Sequence, residues 1–253
     1  MNSALAQLVH AELIFQRGVP PDARYQFKHA LVQDATYATL VRSRRQQLHG
    51  LIARALVAQF PETADTEPEI VAHHYTEAGL PDAAIDYWYK AGERAVRTSA
   101  YAEAVRHITN GVDLLQQLPS TITRMRQELE FQIALGRACI ASKGYGGSET
   151  GAAYARAYEL SRLTEDTSQL PTILAGRAVH YHVRAEVRQE QLAASELLAF
   201  ARERRDVAGE MMAHRALGDS LLHVGDLRGA SAHLEEAIRI LGPRPHQSSL
   251  ERT

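Results

Sequence analysis

The sequence predicts an all-α protein built from stacked helix pairs, and three observations carry that reading. From His29 onward apolar residues recur at helical spacing almost without interruption. Prolines and glycines punctuate this pattern about once per helix length. Four small-residue pairs also recur inside helical segments: Ala91-Gly92, Leu135-Gly136, Ala175-Gly176 and Leu217-Gly218, their glycines 44, 40 and 42 residues apart.

The elements follow in chain order. Residues 3–13 fit a short helix with Leu5, Leu8, Val9 and Glu12 at helical intervals. Leu13–Gln16 and Arg24–Lys28 flank the turn signal Gly18-Val19-Pro20-Pro21-Asp22, so a small hairpin is expected there. Helices are then expected near 29–40, 43–60, 69–78, 82–98, 101–117, 124–141, 149–163, 169–184, 187–205, 207–223 and 227–241. Pro61 stops one of them, while Pro68 and Pro81 fall in first turns, where no intrahelical N–H bond is lost. Gly79, Gly144 and Gly225 mark turns, and Pro119 and Pro243 close other helices.

Glycine inside a helix costs about 1 kcal/mol relative to alanine. Four such glycines at near-regular spacing call for a physical reason, and close approach of a neighbouring helix supplies one. The surrounding residues recur as well. In LGDSLLHVGDLRGASAHLEEAI, Leu217 and Gly218 precede Leu221, the turn Gly225-Asp226-Leu227, and the stripe Ala230, Leu234, Ala237. The earlier segment AGERAVRTSAYAEAVRHITNG repeats this spacing with Gly92, Ala95, Tyr101, Ala104, Ile108 and Gly111. The pattern resembles the tetratricopeptide repeat, which implies a superhelix of helix pairs over 81–243, preceded by linking helices at 29–80. The period exceeds that family's usual length, and Gly144–Gly147 looks like an insertion, so the units are divergent.

Composition narrows the function classes. The 253 residues are 45% hydrophobic and 23% charged, an ordinary globular mix. Twenty-eight basic residues face 30 acidic ones with no one-sign block, which argues against general affinity for nucleic acid or anionic membrane. The single cysteine, Cys139, excludes an internal disulfide and suits a reducing compartment. The N-terminus lacks the basic and apolar regions of a signal peptide, and no apolar run reaches the length of a membrane span. A cytoplasmic protein is expected.

Three stretches carry a more specific resemblance: YQFKHALVQDATYATLVRSRRQQLH at 25–49, EIVAHHYTEAGLPDAAIDYWYKAGERA at 69–95, and ALGRACIASKGYGG at 134–147. They are similar to the region behind the ATPase module in bacterial adenylate/guanylate cyclase-type multidomain proteins. Such proteins join a class III cyclase domain, an AAA-like signal-transduction ATPase and a helical repeat tail. The resemblance spans roughly residues 4–241, with FKHALVQDATY its most specific part. It implies that residues 1–28 are the last helix and wing of a partial winged-helix element, so that the chain begins inside a domain. That would make it a truncated relative or part of a protein extending upstream of Met1. A tail at 244–253 is expected to be disordered. The cyclase and ATPase modules are absent, so their catalytic residues are not carried over.

Lys143-Gly144-Tyr145-Gly146-Gly147-Ser148-Glu149 is glycine-dense, but its lysine precedes the glycines and no strand leads into it, unlike a phosphate-binding loop. His73-His74 and His180-Tyr181-His182 hold neighbours about 100° or 200° apart around a helix, and no HExxH motif occurs. These histidines are expected on helix surfaces or between helices. Cys139 reads as a buried structural thiol. Glu128, Glu130, Glu235 and Glu236 read as residues of solvated faces. Residues 3–13 lack lysine and arginine, which disfavours a DNA-reading helix, although Arg42, Arg45 and His49 share a face of the next long helix with Arg44 beside them. No catalytic, cofactor-binding or metal residue is assigned, and no cofactor.

One surface remains. The residues after the repeat glycines are Glu93, Arg137, Arg177 and Asp219, and the next turn adds Ile140, His180 and Leu222. In tetratricopeptide geometry Arg137, Arg177 and Arg215 would face a groove and favour an acidic or carboxylate-bearing segment, with His180 and Asp219 beside them. The competing reading lays these arginines over Ala-rich packing. The expectation is a non-catalytic interaction and regulatory scaffold with a protein or peptide partner, an ATPase or cyclase module among the candidates. Two alternatives stand beside it: a fragment of a cyclase or ATPase enzyme whose catalytic modules are missing, and a fragment of a DNA-binding transcriptional regulator.

Overall fold

The structure is a computed structural model that describes residues 2–19 and 23–242. Pro20–Asp22, the centre of the expected hairpin turn, lies outside the described residues, as do Pro243 and the expected disordered tail at 244–253. Among the described residues the fold is all-α apart from one hairpin. Helix α1 (Asn2–His10) leads into strands β1 (Ile14–Arg17) and β2 (Arg24–Phe27), which pair antiparallel with Ile14 opposite Phe27. Helices α2 (Ala30–Thr39), α3 (Arg42–Gln59), α4 (Pro61–Thr66) and α5 (Pro68–Glu77) follow. Four pairs come next: α6 (Pro81–Arg97) with α7 (Tyr101–Gln117), α8 (Ile122–Lys143) with α9 (Ser148–Thr164), α10 (Leu170–Val183) with α11 (Val187–Arg204), and α12 (Val207–His223) with α13 (Leu227–Leu241).

The chain divides into two compact units, Met1–Thr66 with Ile70–Leu80 and Glu67–Glu69 with Pro81–Thr253. In the first, two boundaries differ from the sequence expectation. Helix α1 ends at His10 because the chain must reverse into β1. Glu12 takes φ 58°, and its carboxylate accepts a 2.9 Å bond from Lys28, which follows β2 at the same open end of the hairpin. Pro61 does end α3, but it also opens the short α4, with Pro at the first position and Glu62 in the first turn. In the second unit α8 starts earlier than expected, because the Thr121 hydroxyl caps the Arg124 N–H at 3.1 Å.

Turn chemistry explains the helix pairs. Asp206 and Asp226 cap α12 and α13 by accepting from the N–H of Gly209 and Gly229. Gly225, between α12 and α13, holds φ +79°, a region that a Cβ disfavours. The interior is a series of small cores, each shared by three consecutive helices. Ile85, Ile108, Leu115 and Phe131 join α6, α7 and α8; Leu129, Ile133, Leu160 and Ile173 join α8, α9 and α10. Leu170, Leu174, Leu197 and Ala213 continue it through α12. Each pair therefore buries its apolar face against its neighbours.

All four repeat glycines sit where a side chain has no room. A methyl group on Gly92 would collide with Ile108 of α7, and one on Gly218 would stand 2.6 Å from Leu234 Cγ of α13. The backbones are near as well, the Ala230 carbonyl oxygen lying 3.4 Å from that methyl position. Gly136 and Gly176 face one aromatic ring instead. Tyr154 of α9 would be 2.8 Å from a methyl on Gly136 and 2.6 Å from one on Gly176.

One expectation about charge is corrected. Glu128 is fully buried, at 0% exposure, rather than on a solvated face. It accepts from Arg124 one turn earlier at 2.5 Å and from Arg156 of α9 at 2.7 and 3.2 Å. Two guanidinium groups replace the water that a buried carboxylate loses. Glu130 is exposed, as expected.

Gly218→Val should lower the unfolding free energy by about 1–3 kcal/mol through overpacking against Leu234. Gly50→Ala, in α3, should raise it by up to about 1 kcal/mol, because its methyl group meets only ordinary contacts. Urea denaturation followed by circular dichroism checks both signs.

Candidate functional site

Helices α6, α8, α10 and α12, the first of each pair, line two hollows that meet at Arg137. The first, about 570 Å³, runs over α6 and α8 toward Asp166–Gln169. Its charges are mixed: Glu93, Arg97, Arg126, Glu130, Arg137 and Asp166. Tyr89 lies in its wall, and burial followed by the nearby Glu93 and Glu130 charges raises its phenol pKa above the ordinary value. The second, about 450 Å³, crosses α8, α10 and α12 and is largely apolar, with Ile140, Val179, Leu197 and Met212 beside Tyr145 and Tyr154. Its charged lining residues are Arg137 and Arg215, and no carboxylate lines it among the described residues.

The five residues singled out in the sequence therefore separate. Arg137 and Arg215 line the apolar hollow. Arg137 is exposed and makes no ion pair among the described residues, whereas Arg215 reaches Asp219 one turn on at 3.4 Å. Arg177 does not line it. On α10 the positions facing the hollow are Thr172, Ala175, Gly176 and Val179, so the residue after Gly176 falls off that stripe. Its guanidinium lies 4.2 Å over the ring of Tyr158 and donates to the Tyr181 hydroxyl at 3.3 Å. His180 is buried elsewhere, its Nδ1 2.7 Å from the Tyr145 carbonyl oxygen, and it pins the 144–147 loop to α10. Sequence reasoning missed the tyrosines. Tyr154 was findable in principle, because a large ring must fill the space that Gly136 and Gly176 leave.

The remaining motifs resolve structurally. The glycine-dense loop follows a helix rather than a strand, and Lys143 pairs with Glu149 across it. Cys139 is buried, and desolvation raises its thiol pKa. The basic face of α3 is partly engaged: Arg42 and Arg44 are exposed, but Arg45 and His49 have partners. Arg45 lies 5.1 Å over the Tyr37 ring, and His49 is buried between the Tyr37 hydroxyl at 2.9 Å and His74 Nδ1 at 2.8 Å. The contact between His49 Nδ1 and His74 Nδ1 needs one nitrogen to donate and the other to accept. Burial, then the neighbouring imidazoles, push the His74 pKa down to about 4.

Two groups of donors could hold a cation among the described residues. One is Glu210, His214 and Glu236; the other is His182, Glu190 and His223. Arg202 already occupies the first group, donating to Glu210 at 3.0 Å and to His214 Nε2 at 3.3 Å.

The comparisons with known proteins concern fold. No protein-family model matches the chain. Uncharacterized protein R02095 of Rhizobium meliloti (strain 1021) is 28% identical over 144 residues, which is 57% of this chain and 14% of that protein's length. The crystal structure of BtubC (BKLC) from P. vanneervenii superimposes with a TM-score of 0.55 at 15% identity, covering 83% of this chain and 97% of that one. The chain shares with it a fold of helical repeats. No described helix is long and apolar enough to cross a membrane.

Protonating His74 places a charge in a partly buried site beside two other imidazoles, so the unfolded chain binds that proton more readily. Stability from the neutral imidazole is complete above about pH 6.5 and is lost as pH falls toward about 4. The thermal midpoint of the wild type should fall through that window, and His74→Gln should fall less steeply while starting lower.

Proposed function

We propose that the chain is a non-catalytic interaction and regulatory scaffold, a tetratricopeptide-like stack whose first helices receive an extended, acidic and apolar segment of a partner protein. The apolar hollow carries this reading. It pairs aliphatic and tyrosine walls with two arginines and no carboxylate, so it favours a peptide that presents an apolar side chain beside an acidic one. Arg137 is exposed and makes no ion pair among the described residues, so a partner carboxylate meets little competition there. The groove's other half, with charges of both signs, selects the partner's orientation more than it adds affinity.

The relative from Rhizobium meliloti matches this chain over a small part of a much longer sequence, which agrees with a module inside a multidomain protein. A cyclase- or ATPase-bearing signalling protein is the parent that the sequence resemblance suggests. In such a setting occupancy of the groove would act sterically, by changing how the stack bears on a neighbouring module.

The test uses short fluorescein-labelled peptides of matched length, acidic-apolar against basic-apolar, titrated into the protein and read by anisotropy. Acidic-apolar peptides should bind more tightly, with affinity falling as salt rises. Arg137→Ala combined with Arg215→Ala should weaken binding at least about tenfold, in line with loss of charged hydrogen bonds worth about 1.5–3 kcal/mol each. Arg188→Ala, an exposed arginine on α11, should leave it unchanged. Equal binding of both peptide classes, or no effect of the double substitution, would refute the reading.

A further inference from the structure

The two most buried carboxylates of the helix pairs are compensated in opposite ways. Glu128 is held by two arginines. Glu190, in the first turn of α11, is 1% exposed, yet no lysine or arginine is among the groups that act on it most strongly; these are His182, His223 and Asp219. One oxygen accepts from His182 Nδ1 at 3.0 Å, and the other, Oε2, is buried with no hydrogen-bond partner among the described residues. A buried carboxylate in that state lacks a positive partner.

The surrounding geometry supplies a place for one. His182 is in the last turn of α10 and His223 is the last residue of α12, with their rings 4.9 Å apart. One donor atom from each of His182, Glu190 and His223 lies within 4.8 Å of the others. Three ligands bound tetrahedrally at about 2.0–2.2 Å stand roughly 3.3–3.5 Å apart, so small side-chain rotations close the set. The C-terminal ends of α10 and α12 add negative potential that favours a cation. His223 is exposed, which leaves a path for entry.

We propose that His182, Glu190 and His223 form a binding site for one divalent transition-metal ion of the zinc class, with the remaining coordination left to water or to a partner's side chain. Two imidazoles and one carboxylate suit zinc, cobalt and nickel better than calcium or magnesium, which take oxygen-rich shells. The ion would take a carboxylate oxygen of Glu190, supply the positive partner that this carboxylate lacks, and tie α10, α11 and α12 together. The pair His180 and His182 does not form this site, because His180 turns away to the Tyr145 carbonyl. The ligands come instead from three helices.

The experiment uses the tag-free chain, stripped with a chelator and dialysed. Zinc chloride is titrated in competition with a chromophoric chelator, and cobalt(II) chloride is added separately to read the visible absorption of a tetrahedral site. Wild type should take up one zinc per chain with a raised thermal midpoint. His223→Ala removes an exposed ligand, and Glu190→Gln keeps the buried shape while removing the charge. Both should weaken zinc at least tenfold and abolish the cobalt band. His214→Ala, at the other histidine cluster, should do neither. Absence of stoichiometric uptake in wild type would overturn the proposal, as would wild-type affinity in His223→Ala or an equal loss in His214→Ala.

Discussion

The second unit depends on how closely the first helix of each pair can be approached. Gly92, Gly136, Gly176 and Gly218 each leave a notch on a helix surface, and a branched or aromatic side chain from another helix fills it. The helical penalty for four glycines is about 1 kcal/mol each. Ile108, Tyr154 and Leu234 between them fill the four notches, and since burying a large apolar side chain is worth roughly 1.5–3 kcal/mol, their packing offsets that penalty. This fit holds the first helices in register, and the register in turn decides which residues line the groove.

Much of the fold was legible in the sequence for that reason. Glycine spacing, apolar periodicity and the Asp226 and Gly225 turn chemistry are local signals, and each of the eleven helices from α2 through α13, other than α4, falls within a few residues of its expected limits. The short α4 was hidden because its starting proline reads equally well as the end of α3. The groove was only half legible. Arg137 and Arg215 face it, but Arg177 occupies the same position after its glycine as Arg137 and points away, because Tyr158 and Tyr181 draw it to a different face. Aromatic capture across helices depends on three-dimensional neighbours and leaves no spacing signature.

Charge burial was the least legible property. Glu128 and Glu130 are two positions apart on one helix, yet one is enclosed by Arg124 and Arg156 while the other borders open space. A stripe of helical charge cannot reveal which residue the next helix will cover. The same holds for histidines: neighbours in sequence diverge around the helix, and the contacts that matter, such as His49 to His74 and His182 to Glu190, join residues on different helices.

Tyr154 carries a last consequence. Its single ring occupies the notches of Gly136, in its own pair, and Gly176, in the pair that follows. Gly218 is served by Leu234 from within its own pair. Tyr154 thus keys α9 to both α8 and α10, whereas the notch of Gly218 is filled within its own pair and α12 joins the stack through the core of Leu170, Leu174, Leu197 and Ala213. A break between α9 and α10 would leave an orphaned tyrosine on one fragment and an empty socket on the other.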